Sequence, residues 1–517
     1  MNHSASASSA GRGAGKNRGT GGGIGMPVSL PVIDSCPEKS LAARPLAARG
    51  LHFRLPLFAW MLCTLLPSAL SCRRPGSQAS DAGAVRLMTL DPGHFHAALI
   101  QKISYPEVAR EVSVFAPQGP ELEDHLRRIE AYNNRPENPT AWQETVYAGE
   151  DFLERMLSAK PGNVCVIAGK NNRKTGYLKA AVDAGIHVLA DKPLCMDREG
   201  FGLLAQAFES ASRNGVLLCD IMTERYEITH VLQAELVNMP EIFGGLKPGS
   251  AGDPSVIMES VHHFLKTVSG IPLKRPPWYF DIRQQGEGIV DVTTHLVDLV
   301  QCACFPGQAL DYERDIEMLA ASRWPTAITP EQFRRVTGLD AVPDALVPSL
   351  NSKGDIEVFS NGEMVYRLKG ICVRVRVQWD FEAPPGAGDM HVSMMRGNRS
   401  CIRIRQGEAE RFRPELYIDA DPEFGAENLA PILQAAMQKL EAAYPGVGLE
   451  KTGTGWHVLI PESYRIGHEA HFGQVTQNFL NGLKKKELPG WEIPNMLAKY
   501  HTTTSALALA LKTKAAY

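Results

Sequence analysis

NVCVIAGKNNRKTGYLKAAVDAGIHVLADKPL, residues 163–194, carries the pattern that organises this chain. VCVI is a short apolar run of the kind a fully buried strand shows, and Ala-Gly ends it. GYLKAAVDAG, residues 176–185, spaces Leu, Ala and Val along one helix face and closes on Gly185. HVLA is a second apolar run, broken off at the charged, proline-bearing Asp191-Lys192-Pro193. Strand, helix and strand in this order form a unit whose two strands lie parallel beneath a covering helix.

The same alternation extends outward from this unit. Upstream, VRLMTL at 85–90 precedes AALIQKI at helical spacing, EVSVFA precedes ELEDHLRRIEAYNN, and ETVYA precedes DFLERMLSA. Downstream, FGLLAQAFESASRNG is followed by VLLCDI at 216–221. Such alternation predicts an α/β Rossmann-like domain over 85–223, with a parallel sheet covered on both faces. Ligands of these sheets bind where the loops gather at the strands' carboxyl ends.

The first such loop reads Leu90-Asp91-Pro92-Gly93-His94-Phe95-His96-Ala97. A dinucleotide turn has glycine at three set positions, the central one letting a pyrophosphate approach the backbone. With Gly93 as the central glycine, Asp91 and His96 replace the other two. An aspartate facing phosphate would repel it, so Asp91 is expected to cap the following helix instead. EVSVFAPQG also ends without the acid that holds a ribose 2′-hydroxyl, which leaves NAD and NADP equally open.

Two segments resemble one enzyme family. AVDAGIHVLADKPL, 181–194, resembles the hallmark segment of the Gfo/Idh/MocA oxidoreductases (glucose–fructose oxidoreductase, inositol dehydrogenase and related sugar dehydrogenases). Their usual Glu-Lys-Pro is Asp191-Lys192-Pro193 here; Asn171 matches the family's asparagine, and Lys174 stands where a histidine is usual. GEGIVDVTTHLVDLV, 286–300, resembles the second hallmark, a glycine-rich turn followed by Asp-x-x-x-His, filled by Asp291 and His295. The resemblance covers residues 85–305 best. It implies NAD or NADP as cofactor, a carbohydrate substrate, and Gly93, His94, Asn171, Asp191, Lys192 and Pro193 along the cofactor. It also implies a C-terminal open sheet of the type that family members use to dimerise.

The residues suit that chemistry on their own terms. Oxidising a secondary alcohol by hydride transfer needs one group to take the hydroxyl proton and another to hold the oxygen, and Lys or His serves either end. Asp291 and His295 are four apart, which places them on one face of a helix. Lys192, before a proline, is biased toward an extended conformation at a strand end. Lys192, Asp291 and His295 are therefore the expected catalytic group. Glu259-Ser-Val-His262-His263-Phe-Leu-Lys266 enters a polar site, and RPPWYFD at 275–281 offers aromatic surface for a sugar ring. His262, His263, Lys266 and Trp278 are the expected substrate contacts. His468 and His471 in HEAHF lack the spacing of a helical zinc pair and read as structural, so no metal is expected.

Past residue 224 the alternation fades. DIEVFS, EMVYRLKGICVRVRVQWDF, HVSMMRG, SCIRIRQG, RPELYI and GWHVLIP predict a large, mostly antiparallel open sheet in a C-terminal α+β domain, 224–517. Residues 310–350, rich in proline, read as an insertion. PNMLAKYHTTTSALALALKT reads as a terminal helix that packs back on the first domain.

The N-terminal 72 residues read as an extension outside the fold. Their GGGIG run has no strand before it and no helix after it, so it is not a phosphate loop. LPLFAWMLCTLLPSAL, 55–70, follows two arginines, is short for a membrane span and ends at Ala69-Leu70-Ser71-Cys72. That ending resembles a bacterial lipobox and predicts an exported lipoprotein acylated at Cys72, with 73–84 as tether. None of the seven later cysteines makes a C-x-x-C pair, and most are expected to be buried thiols. The formal charge is −3, and residues 1–72 hold seven Lys/Arg against two Asp/Glu, so the remainder carries about −8 and no nucleic-acid partner is expected. The expected activity is hydride transfer on a sugar or polyol hydroxyl. Two rivals are an exported glycoside hydrolase that recycles a bound NAD, and a non-catalytic sugar-binding lipoprotein.

Overall fold

The computed structural model describes residues 85–268, 271–453 and 455–513. Cys72, the lipobox and the GGGIG run lie outside them.

Six strands build the first sheet: β1 (Leu87–Leu90), β2 (Glu111–Ala116), β3 (Gln143–Ala148), β4 (Val164–Ile167), β5 (His187–Asp191) and β6 (Leu218–Ile221). All pairings are parallel and the order is β3-β2-β1-β4-β5-β6. The order reverses at β1, which opens a crevice between the loops after β1 and β4. The intervening helices are α1 (His96–Leu99), α2 (Pro120–Asn134), α3 (Phe152–Ala159), α4 (Asn171–Asp183) and α5 (Arg198–Asn214). Burial of β1, β4 and β5 on both faces explains their unbroken apolar runs.

The second unit begins with α6 (Ile228–Val237) and α7 (Pro240–Phe243), then β7 (Val256–Leu265) and the short pair β8 (Thr267–Val268) and β9 (Ile271–Pro272). Next come α8 (Ile282–Gln285), α9 (Thr293–Cys304), β10 (Ile316–Ile328), α10 (Pro330–Thr337), β11 (Ile356–Leu368), β12 (Ile371–Glu382), β13 (Met390–Arg396), β14 (Ser400–Arg405) and β15 (Glu415–Ala420). The chain closes with α11 (Ala426–Ala443), β16 (Gly448–Lys451), β17 (Gly455–Leu459), α12 (His468–Lys485) and α13 (Glu492–Lys512). Nine strands form one sheet in the order β10-β11-β12-β7-β13-β14-β15-β17-β16, antiparallel except where β12 meets β7. The expected open sheet is present. The expected insertion at 310–350 is corrected: it holds β10 and α10, and only its later part is irregular.

The last two helices return to the first sheet. α12 supplies Phe472, Val475, Phe479 and Leu480 to the core on one face, alongside Leu87, Val164 and Leu189. α13 supplies Met496 and Tyr500 to the core on the other face, as its sequence predicts. Buried charges fix the second docking. Lys499 Nζ donates to Asp220 and Asp298 at 2.8 Å each, Tyr500 donates to Asp220 at 2.7 Å, and Arg225 forks onto Asp298 at 2.6 and 2.7 Å. A buried ion costs several kcal/mol of lost hydration, and here each cation is offset by carboxylates held in hydrogen-bonding geometry.

Candidate active site

The carboxyl ends of β1, β4, β5 and β6 open into a cavity of about 1060 Å³, whose far wall is β7, the segment 273–295 and the start of α12. Its floor rests on a buried lysine. Lys174 on α4 donates to Asn171 Oδ1 at 2.6 Å and to the Asp191 carbonyl at 2.9 Å, and burial pulls its pKa down to about 8. Asn171 in turn donates to the Gln285 carbonyl at 2.6 Å, and the Gln285 amide donates to Asp291 Oδ2 at 3.0 Å. Asp291 Oδ1 accepts from Lys192 Nζ at 2.5 Å. The Lys192-Pro193 peptide is cis. Both resemblance segments thus meet at one ion pair, although 99 residues separate its partners.

His295 lines the same cavity one turn into α9. Burial, with Lys192 adding to it, pushes its pKa down to about 4, so the ring is neutral at pH 7, and its buried Nδ1 has no hydrogen-bond partner. Asp291 precedes the helix rather than sitting in it, yet the turn brings both side chains to the cavity.

On the opposite wall Asp389 organises β7. His262 Nδ1 lies 3.0 Å from Asp389 Oδ2, the His263 backbone N–H donates to Oδ1 at 3.1 Å, and Lys266 pairs with Oδ2. Although burial opposes it, the surrounding cations hold the Asp389 carboxyl far below the usual range. His262, Lys266 and Trp278 line the cavity. His263 does not, which corrects its expected role. Adjacent strand residues point to opposite faces, and His263 is 1% exposed, reaching the cavity wall only through its Nδ1, 3.4 Å from Asp389 Oδ1. Trp278, Tyr279 and Trp379 supply the aromatic wall, with Arg275 stacked over Tyr279 at 4.4 Å, while Phe280 is wholly core.

The turn after β1 departs from the expectation for it. Asp91 adopts φ +47°, the left-handed conformation of the glycine it replaces, but it caps no helix; its carboxyl lies 3.3 Å from the Tyr177 hydroxyl. Gly93 is absent from the cavity lining, and a Cβ there would meet Trp278 at 3.5 Å and Gly169 at 3.4 Å. The Gly93 N–H donates to the Asp91 carbonyl at 2.7 Å and the His94 N–H to the Ala168 carbonyl at 2.8 Å. Pro193 also lies outside the lining, whereas His94, Asn171, Asp191 and Lys192 belong to it.

Sequence reasoning missed a second cluster in the cavity. Glu224 after β6, His230, His391, His468 and His471 all line it, so His468 and His471, read from sequence as structural, face the cavity. Glu224 is brought down to about 2 against its own burial by His468, His295, His230 and His471. The buried nitrogens His230 Nε2, His391 Nε2 and His471 Nδ1 have no hydrogen-bond partner. His468 and His471 are three apart on α12, a spacing that shares a helix face and could have signalled them. His94 and His96 approach Asp191 Oδ2 at 3.2 and 3.0 Å. His96 and Asp191 were legible only as misfits in the glycine pattern and the Glu-Lys-Pro word.

Residues 232–511 match the family described as "Putative oxidoreductase C terminal domain". A crystal structure of a "putative oxidoreductase" from Parabacteroides merdae ATCC 43184 is 52% identical to this chain, covering 83% of it and 98% of its own length, with a TM-score of 0.82. The chain belongs to this oxidoreductase family. More distant structures share the fold. A levoglucosan dehydrogenase solved with NADH and levoglucosan is 13% identical over 82% of this chain and 98% of its own, with TM-score 0.52. GenD2 from gentamicin A biosynthesis, solved with NAD, is 14% identical over 84% and 97%, with TM-score 0.51. No sequence among curated proteins matches the chain.

Proposed function

We propose that this oxidoreductase uses NAD or NADP to oxidise a secondary hydroxyl of a sugar or polyol, or to reduce the matching ketone. The observation that carries the reading is the Lys192–Asp291 pair at the end of β5, with the unpaired His295 beside it in a cavity walled by aromatic rings. A nicotinamide fits this end of the cavity, where Gly169, Asn171 and Lys192 gather at the strand ends and His295 Nδ1 lacks a partner. When bound, the nicotinamide accepts or gives the hydride.

The chain's own groups do the rest. Lys192, already paired through one N–H, has two donors left to hold the reacting oxygen. Asp291 keeps that ammonium in place. His295, neutral at pH 7, takes the hydroxyl proton in the oxidising direction. His262 and Lys266, fixed by Asp389, offer donors to the remaining hydroxyls, and Trp278, Tyr279 and Trp379 exclude water.

The test is to denature the purified full chain and look for released nucleotide by mass spectrometry, then titrate the native chain with NAD and NADP. A panel of sugars and polyols is then assayed for reduced nicotinamide. Nucleotide binding with substrate-dependent reduction is expected. A chain that neither carries nor binds either nucleotide overturns the reading.

A further inference from the structure

His94 and His96 flank Phe95 in the turn after β1, and both rings present Nδ1 to the same oxygen, Asp191 Oδ2, at 3.2 and 3.0 Å. Only the His96 contact has hydrogen-bond alignment. His94 Nδ1 is buried and has no hydrogen-bond partner, so the second imidazole is brought to the carboxylate without the bond that would explain it. Among the described residues this is the one group of three or more His, Cys, Asp or Glu whose ligand atoms all lie within 4.8 Å of one another.

Those separations have a chemical meaning. Donors held 2.0–2.1 Å from a tetrahedral zinc ion stand about 3.3 Å from each other. Two imidazoles and one carboxylate form the donor set of open transition-metal sites, in which the remaining positions take water or substrate. Two nitrogen donors disfavour calcium and magnesium, which take oxygen.

The surroundings support a built site. His94, His96 and Asp191 all line the cavity, so open coordination positions would face the space a ligand enters. Asp191 ends β5, and its carbonyl is tied to the buried Lys174 at 2.9 Å. The His96 ring packs 4.7 Å from that of Phe472 on α12. Asp191 is therefore set by its strand and His96 by its packing on α12, while His94 is carried by the turn between β1 and α1.

We propose that His94, His96 and Asp191 form a binding site for a divalent first-row transition-metal ion, with its open positions directed into the cavity. An ion there would take oxygen ligands, such as neighbouring hydroxyls or a carboxylate of the bound molecule. The site shares its cavity with the hydride-transfer groups, but its test stands apart from that reading, because metal occupancy is measured without substrate or nucleotide.

The full chain is stripped with a chelator and titrated with Zn²⁺ and, separately, Mn²⁺ by calorimetry, with bound metal counted by mass spectrometry. One ion per chain is expected for at least one of the two metals. His94→Ala, His96→Ala and Asp191→Asn should each weaken binding by at least about 100-fold, beyond the 10–100-fold lost with an outer-shell partner. His94→Asn keeps a polar side chain, and a melt of each variant shows whether it is folded. Glu224→Gln, in the separate group of cavity histidines, should still bind the ion. X-ray absorption at the metal edge should show imidazole nitrogen together with carboxylate oxygen. Absence of saturable binding by the native chain overturns the proposal. So does unchanged binding in folded His94 and His96 variants, or loss in Glu224→Gln alone, which would place the ion at that other group.

Discussion

Lys174 is among the most deeply buried side chains, and it stands where the oxidoreductase pattern that this segment resembles has histidine. Its ammonium has acceptors in Asn171 and in the Asp191 carbonyl, so the charge is retained although burial lowers its pKa to about 8. Lys174→Met keeps the bulk and removes the donors, leaving buried acceptors unpaired at about 1–3 kcal/mol each. A lower melting temperature is expected, together with a loss of kcat larger than the stability loss explains, because the Lys192 segment is no longer held. A melt without change would show that the ammonium does not support that segment. Lys192 and His295 should behave differently from Lys174. Lys192→Ala is expected to lower kcat about 10²-fold or more, the scale of one acid–base group. His295→Ala should stop turnover while bound nucleotide and melting temperature stay as they were, and a parallel loss of melting temperature would return His295 to a packing role. None of these roles was written in the residue types alone. Lys192 and Asp291 were legible because two sequence words matched, and the structure adds the 2.5 Å contact that joins them.

At the scale of elements, periodicity accounts for what was legible. β1, β4 and β5 are buried on both faces, so their apolar runs stood out between glycine and proline breaks. β10 did not stand out, for the opposite reason. It is the edge strand of the nine-stranded sheet, mostly half-exposed, and it contains Pro325 where its pairing with β11 shifts register between Trp324 and Thr326. An edge strand can accommodate a proline that a central strand would exclude, so its sequence resembled irregular chain. The same period of two separates His262 from His263 on β7. His262 faces the cavity with Ser260, whose hydroxyl lies 3.1 Å from its Nε2, while His263 faces away. His262→Ala is therefore expected to raise KM for the sugar with little change in the melt. His263→Ala should cost about 1–3 kcal/mol of stability for a lost buried polar contact, seen as a lower melting temperature, with KM nearly unchanged. Steady-state kinetics and thermal melts on the two variants check this directly, and a KM effect at His263 would contradict the strand's facing.

At the scale of the whole molecule, the boundary read at residue 224 divides the sequence better than it divides the fold. α12 and α13 cross back to both faces of the first sheet, and the cavity is closed only because α12 returns with His468 and His471. A local pattern contains no record of such returns, which is why the terminal helix was legible as a helix while the histidines on α12 were not legible as cavity residues. The fold also buries histidines, and this gives it a pH dependence with a definite sign. Burial lowers His125, His295 and His471 from 6.5 to about 4 each. Between pH 6.5 and pH 4 the unfolded chain binds protons at these rings and the folded chain does not, so stability rises with pH across that window. Their contribution is complete above pH 6.5 and is lost progressively as the pH falls toward 4. Glu224 and Asp298, both held below their ordinary values, extend the loss to lower pH, since each contributes only while ionised. A fully buried ring shifted this far is worth about 3 kcal/mol. Melting temperatures measured in steps from pH 7.5 to pH 4.5 should therefore be level at first and then fall steeply below about pH 6.5, the unperturbed histidine range. Replacing the buried His125 by glutamine, which cannot titrate, should flatten that slope. An equal slope in the variant would show that His125 does not titrate between the two states and that the acid sensitivity arises elsewhere.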